Sequence, residues 1–246
     1  MTVATASNLD QRVWPDVHSS TDSYATRFAG PVGQYFVNVQ SEAIRRQLQI
    51  HRIASALDIG GGHGQILPVL VDSEIATTVV GSKLKCEQRL ANYRDRADYT
   101  FVESNLFPLE YGDSSFDLVL SFRMISHLHD WPCLIDEMCR TARTTIMFDF
   151  APTSLLRFLS GLTFSVKNLV EKNTRRFLTQ RLSEIDEVVA RNGFRVSSVY
   201  RQFALPMALH RLIKMPRITG SVESISRTCG VTNRIGGPVI ITATRH

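Results

Sequence analysis

Long apolar runs are missing from this sequence. No stretch of its 246 residues reaches the ~18–20 consecutive apolar residues that a membrane span needs, so a transmembrane helix is not expected. Cysteine is scarce as well. Cys86, Cys133, Cys139 and Cys229 stand at spacings that match neither a zinc template nor a disulfide framework, and they read as free thiols in a reducing cytoplasm. The first residues, MTVATASNLDQRVWPD, have no basic start followed by an apolar core, so a secretory signal is not expected either. There is no Ser/His/Asp array, P-loop lysine or zinc signature, which removes residue support for hydrolase and nucleoside-triphosphatase chemistry. Acid is scarce in one half only. Residues 1–150 carry a net charge of −5, whereas residues 151–246 hold 15 Lys/Arg against 5 Asp/Glu, or +10. That asymmetry points to an anionic substrate, a membrane surface or nucleic acid near the C-terminal part, or simply to a solvated basic face.

What is present suits one globular domain. The apolar share is 43 % and the charged share 21 %, enough for a full core. Residues 1–22 are polar and read as a flexible leader, followed by a single domain over 23–246. Helical spacing runs from about Gly33 to His51. From Ser55 the chain alternates: ALDIG is a short buried strand, QILPVLVDS a helix with Pro68 in its first turn, and ATTVVGS a β-branched strand. KCEQRLANYRDRA is an amphipathic helix, YTFVES and FDLVLSF are strands, WPCLIDEMCRTA is a helix opened by proline, and RTTIMFDF is a fifth strand. Strand–helix alternation of this kind gives right-handed βαβ units, a parallel sheet, and a ligand-binding edge at the strands' carboxyl ends. Further on, a helical stretch at 153–172, a helix near LSEIDEVVARNGF, a strand at RVSSVYRQF and a last strand at GPVIITATR are expected.

Within ALDIGGGHGQILPVL, four glycines fall at Gly60, Gly61, Gly62 and Gly64, directly behind a strand that contains Asp58. A loop without Cβ atoms turns sharply and lets a ligand lie against the backbone, with the amides of the following helix facing it. The dinucleotide fingerprint G-x-G-x-x-G needs a third glycine where this chain has Gln65, so that template fails.

At these residues the sequence resembles the class I S-adenosylmethionine-dependent methyltransferases, whose first motif is an acid followed by x-G-x-G-x-G. NLFPLEYGDSSFDLVLSFRMISHLHDW and LIDEMCRTARTTIMFDF extend the likeness to the ubiquinone/menaquinone-biosynthesis-like branch, over roughly residues 50–150. The resemblance implies an α/β fold: a Rossmann-like, seven-stranded, mostly parallel sheet with helices on both faces. It implies S-adenosyl-L-methionine as cofactor, with Asp58 orienting the amino-acid end and Gly60, Gly61, Gly62 and Gly64 packing against ribose and methionine. Asn105 stands where the family usually has an aspartate for the adenine amino group, and its amide oxygen can accept the same bond. Leu106 would contact the ring, and Ser121 and Phe122 would border the methionine arm. Tyr24 and Arg27, in a lid segment spanning 23–54, are candidates for the cofactor carboxylate. Where the family has an acid for both ribose hydroxyls, this chain has Gly81-Ser82. Ser82 can make one such bond, and Glu87 lies one helical turn on.

His127 and His129, in SHLHDWP after the fourth strand, are the candidate catalytic bases, and His127 aligns with the family's turn histidine. Asp130 and Asp136 complete no ligand template with them, so no metal is expected. Arg123 could meet an anionic acceptor or face solvent, and Asp149 could bond substrate or fix a loop. Residues 151–192 and the helical insertion at 205–236 are expected on the acceptor side, where apolar and basic residues suit a small-molecule or lipid-like, anionic acceptor methylated at oxygen or carbon. A cytoplasmic enzyme with peripheral membrane contact is the expectation. A non-catalytic binding protein of this fold, or an RNA methyltransferase, are the alternatives, though no recognised nucleic-acid-binding module is present.

Overall fold

In the computed structural model the described residues are 28–62, 64–81, 90, 93, 99–104, 108–153 and 178–246. They open with helix α1 (Gly30–Ile50), which has Pro31 in its first turn and buries Phe36, Ala43 and Ile44 along one side. Strand β1 (Ser55–Ile59), the short helix α2 (Leu67–Val71), β2 (Ala76–Gly81), β3 (Tyr99–Glu103) and β4 (Phe116–Ser121) follow. After a 3-10 turn at Ile125–His127 come α3 (Trp131–Thr141), β5 (Ala142–Phe150), α4 (Leu182–Arg191) and β6 (Phe194–Phe203). Three helices, α5 (Met207–Ile213), α6 (Pro216–Thr228) and α7 (Val231–Ile235), then precede β7 (Gly237–Arg245).

The strands form one seven-stranded sheet in the order β3-β2-β1-β4-β5-β7-β6. β1 pairs in parallel with β2 and β4, β2 with β3, and β4 with β5, whereas β7 runs antiparallel to both β5 and β6. The order reverses between β1 and β4, which puts the switch point of the sheet next to the glycine loop.

Helices cover both faces, so the strands are apolar on both sides instead of alternating with polar residues. Leu57, Ile59, Val119, Ile146, Phe148 and Ile241 share one core with α3 and α4. Ala56, Leu118, Leu120, Met147 and Ile240 share another with Ala43 and Ile44 of α1 and Val69 and Leu70 of α2. The strand and helix patterns read from the sequence recur here within a few residues, including proline in the first turn of α2 and α3, and α1 and α6 carry one there as well. At the amino edge of the sheet, Asp117 accepts from the Ala54 and Ser55 amides and pairs with Arg143. The Ser55 hydroxyl in turn accepts from the Asp117 amide, fixing the β1–β4 register. The helices expected over 85–97 and 153–172, and the leader over 1–22, fall almost wholly outside the described residues.

Candidate functional site

β1 ends in a turn that only glycine builds at this position. Gly60 has φ +77°, its amide extends the β1–β2 ladder by donating to the Val80 carbonyl (2.8 Å), and a Cβ there would press on the Met124 thioether. A Cβ at Gly61 would overlap the Asp58 carboxylate outright, so the loop backbone lies directly over that side chain. The Gly64 amide closes the turn by donating to the Gly61 carbonyl at 2.9 Å.

Asp58 is buried, and neither of its carboxylate oxygens has a hydrogen-bond partner among the described residues. A buried carboxylate without donors is costly to ionise. Burial accordingly pushes the Asp58 carboxyl up to about 7, and the nearby Arg123 guanidinium opposes this only in part.

The loop after β4 is built as a ledge beside it. The Ser121 hydroxyl donates to the Ile59 carbonyl at 3.1 Å, tying the ends of β1 and β4 together. Arg123 adopts a left-handed backbone (φ +62°), and its amide donates to Asp149 at the end of β5. Asp149 is buried, and burial raises its carboxyl against the pull of the Arg123 amide and charge. Ser126 receives the Ala151 amide on its hydroxyl and the Leu178 amide on its carbonyl. The Arg123 guanidinium lies 4.3 Å from the centre of the Phe28 ring, a cation–π contact that brings the chain ahead of α1 to this edge. Gly33 makes room for that approach, since a Cβ there would overlap the Phe28 backbone.

Among the described residues, two buried carboxylates, Asp58 and Asp149, thus face one cation, Arg123. The set lacks one positive charge when both acids are ionised. A ligand presenting an ammonium or sulfonium at Asp58 would complete it.

The structure therefore brings Asp58, Gly60, Gly61, Gly62, Gly64, Ser121 and the turn ending at His127 to one sheet edge. His127 is half-buried there, whereas His129 is exposed. Tyr24, Arg27, Ser82, Glu87, Asn105 and Leu106 lie outside the described residues. Three features were not read from the sequence. Met124 packs under Gly60, Arg123 turns inward between two acids, and the exposed Glu103 stands in register with Gly81 on the neighbouring strand. Arg123 and Met124 follow a strand end with no local pattern to mark them, and Glu103 becomes relevant only once the β2–β3 register is known.

Residues 57–145 match the family model described as "Methyltransferase domain". No curated protein matches the sequence. Among solved structures, the chain resembles magnesium protoporphyrin IX methyltransferase from Synechocystis PCC 6803, solved with bound SAM, at TM-score 0.63 and 12 % identity with all of both chains covered. A possible histamine N-methyltransferase from Thermotoga maritima is similar at TM-score 0.59 and 12 % identity, covering 94 % of this chain and 98 % of that one. Haemonchus contortus phosphoethanolamine N-methyltransferase 2, solved with phosphomonomethylethanolamine and S-adenosylhomocysteine, gives TM-score 0.63 and 17 % identity, covering 95 % of this chain and 59 % of that one. At such identities these likenesses speak to fold. Residues 57–145 thus match a methyltransferase domain, and the chain has the fold of S-adenosylmethionine-dependent methyltransferases that it resembles.

Proposed function

We propose that this enzyme transfers the methyl group of S-adenosylmethionine to oxygen or carbon of a small-molecule or lipid-like acceptor. The observation that carries the reading is Asp58: a buried carboxylate with no donor among the described residues, roofed by a glycine whose Cβ would strike it. That arrangement fits the amino-acid end of the cofactor, whose ammonium supplies both the missing donors and the missing charge. Gly60, Gly61, Gly62 and Gly64 leave backbone free to lie against ribose and methionine. Asn105 and Leu106 would take the adenine, Ser82 and Glu103 the ribose, and Tyr24 and Arg27 the carboxylate. The cofactor supplies a methyl group on sulfonium sulfur, which leaves the protein to position the acceptor and, where the acceptor holds a proton, to remove it. His127 on the turn after β4 stands at the edge where that proton would be taken.

The acceptor side follows from topology. β6 runs in the same direction as β5, so its carboxyl end and the start of β7 lie at the edge that carries Asp58, and the α5–α7 insertion joins those two points.

Calorimetry with S-adenosylhomocysteine tests the cofactor reading directly. Binding is expected, and its loss is expected in Gly61→Val, whose side chain would displace the Asp58 carboxylate. No heat at millimolar ligand with the wild-type chain would overturn the enzymatic reading in favour of a non-catalytic binding protein. Transfer of labelled methyl into the small-molecule or lipid fraction of a cell extract tests the second half. His127→Gln is expected to lower that transfer about a hundredfold while keeping S-adenosylhomocysteine affinity, the usual size of a general-base contribution. His129→Gln, altering an exposed side chain, is expected to leave both unchanged. Equal losses in the two variants would remove His127 from its role.

A further inference from the structure

Helix α6 is turned inside out relative to an ordinary surface helix. Thr219 and Glu223 are its buried residues, whereas the N-cap residue Met215 and the helical Ile218, Val222 and Ile225 are 53, 51, 40 and 65 % exposed. These four recur every three or four positions and so share one flank of the helix. Leu212 and Ile213 at the end of α5, and Val231 at the start of α7, add further exposed aliphatic surface. The inversion has a local cause. The Glu223 carboxylate accepts from the Ala204 and Leu205 amides at 2.7 and 2.8 Å and meets the His210 ring nitrogen Nε2 at 3.0 Å. With Glu223 held inward, helical geometry turns Val222 and Ile225 towards solvent. Exposed aliphatic surface of this extent marks a place where something binds.

Charge says what binds. Between Leu205 and Gly236 there are five Lys/Arg residues and one acid, and that acid is the buried Glu223. Arg227 is engaged with the Arg201 and Gln202 carbonyls and the Tyr200 ring, and Arg211 lies over the Phe36 ring. Lys214, Arg217 and Arg234 remain exposed around the aliphatic flank.

We propose that the α5–α7 face docks the protein on a bilayer that carries anionic phospholipid. Aliphatic side chains would enter the headgroup–acyl boundary while Lys214, Arg217 and Arg234 meet lipid phosphates. A second copy of the chain fits less well, since a two-fold contact would set these cations against their own counterparts with no exposed acid in the segment to offset them. Nucleic acid would leave the isoleucines in water, and the face has no aromatic residue on which bases stack. No helix among the described residues is long and apolar enough to cross a membrane, so the contact is with the surface. Because the insertion springs from the edge that carries Asp58, docking brings the methyl-transfer site to the interface. The docking itself does not depend on the identity of the acceptor.

Vesicle sedimentation with the full chain tests it. The protein is expected to pellet with vesicles of mixed phosphatidylcholine and phosphatidylglycerol and to stay in solution with phosphatidylcholine alone, with binding weakening as salt rises. Ile218→Glu combined with Ile225→Glu is expected to abolish pelleting. Arg217→Ala and Lys214→Asn are each expected to lower the partition coefficient about fivefold, the weight of one cation near an anionic surface. Circular dichroism and S-adenosylhomocysteine calorimetry accompany each variant, so a folding defect is seen as such, and failure to dock is separated from failure of the cofactor reading. Absence of wild-type binding to anionic vesicles overturns the proposal. So does a wild-type dimer in sedimentation velocity, or salt-sensitive RNA binding, that the isoleucine variants abolish while vesicle binding is absent.

Discussion

Asp58→Asn is expected to weaken S-adenosylhomocysteine binding about a hundredfold while making the ligand-free protein more stable at neutral pH. The first half follows from removing one member of a buried charge pair, which leaves the ligand's ammonium without its counter-charge. The second follows from the carboxyl's own titration. In the unfolded chain an aspartate titrates near ~3.9, whereas burial in the folded protein raises Asp58 to about 7. Between those values the folded state holds the proton more tightly than the unfolded one. The stability contributed by the neutral form is therefore complete below the unfolded value and is lost as the pH rises through about 7. At 1.36 kcal/mol per pH unit, the loss is at most about 4 kcal/mol. Urea unfolding of wild type and variant across the acid-to-neutral range measures it, with the wild type losing stability relative to Asp58→Asn as pH rises. Ligand affinity should show the reverse trend. The wild type binds more tightly as Asp58 ionises, by about tenfold per pH unit at most below the folded value, and the variant lacks that slope. Parallel pH profiles for the two proteins would show that Asp58 is not the group that meets the ligand.

The second large effect is expected at Glu223. Its carboxylate accepts from two backbone amides at the end of β6 and from the His210 ring, all in a buried setting. His210 is itself enclosed by the rings of Tyr35, Phe36 and Phe203 at 5.7, 5.5 and 5.3 Å between centroids. Through these contacts one carboxylate links α6, the β6–α5 junction and α1. Glu223→Ala orphans two backbone N–H donors, one buried and one half-buried, and a buried histidine, and it is expected to cost about 3–5 kcal/mol in urea unfolding. The damage should begin locally, with proteolytic cleavage in 205–236 at denaturant concentrations that leave the sheet intact. Glu223→Gln keeps shape and one acceptor oxygen and is expected to lose about half as much. Thr228→Ala, on the exposed side of the same helix, is expected to stay within about 0.5 kcal/mol of wild type. A Glu223→Ala protein as stable as wild type would show that the insertion is held by its apolar contacts alone.

The sheet core was legible because its signals are local. Apolar runs such as those of β1 and β4 bury on both faces and close at Gly60 and Ser121, so a window of a few residues carries the whole pattern. The glycine loop was legible for the same reason: Gly60 and Gly61 answer to a backbone turn and to Asp58, both within three residues of them. The surroundings of Arg123 were less so. Its local sequence leaves open a contact for an anionic acceptor or a solvent-facing side chain, and the fold sets it beside Asp58, Asp149 and Phe28, which come from three separate segments.

By itself, then, the sequence determined the Rossmann-like fold class, the succession of strands and helices from Ser55 to Phe150, and the glycine loop behind β1, since each is written in residues a few positions apart. Tertiary structure alone decided how α6 faces. Ile218, Val222 and Ile225 recur at helical spacing, and these residues are exposed while Glu223 is buried. The reason is that two backbone amides at the end of β6, some eighteen residues earlier in the chain, require a buried acceptor. Those bonds, with the His210 ring, hold Glu223 inward and so set which flank of the helix meets solvent.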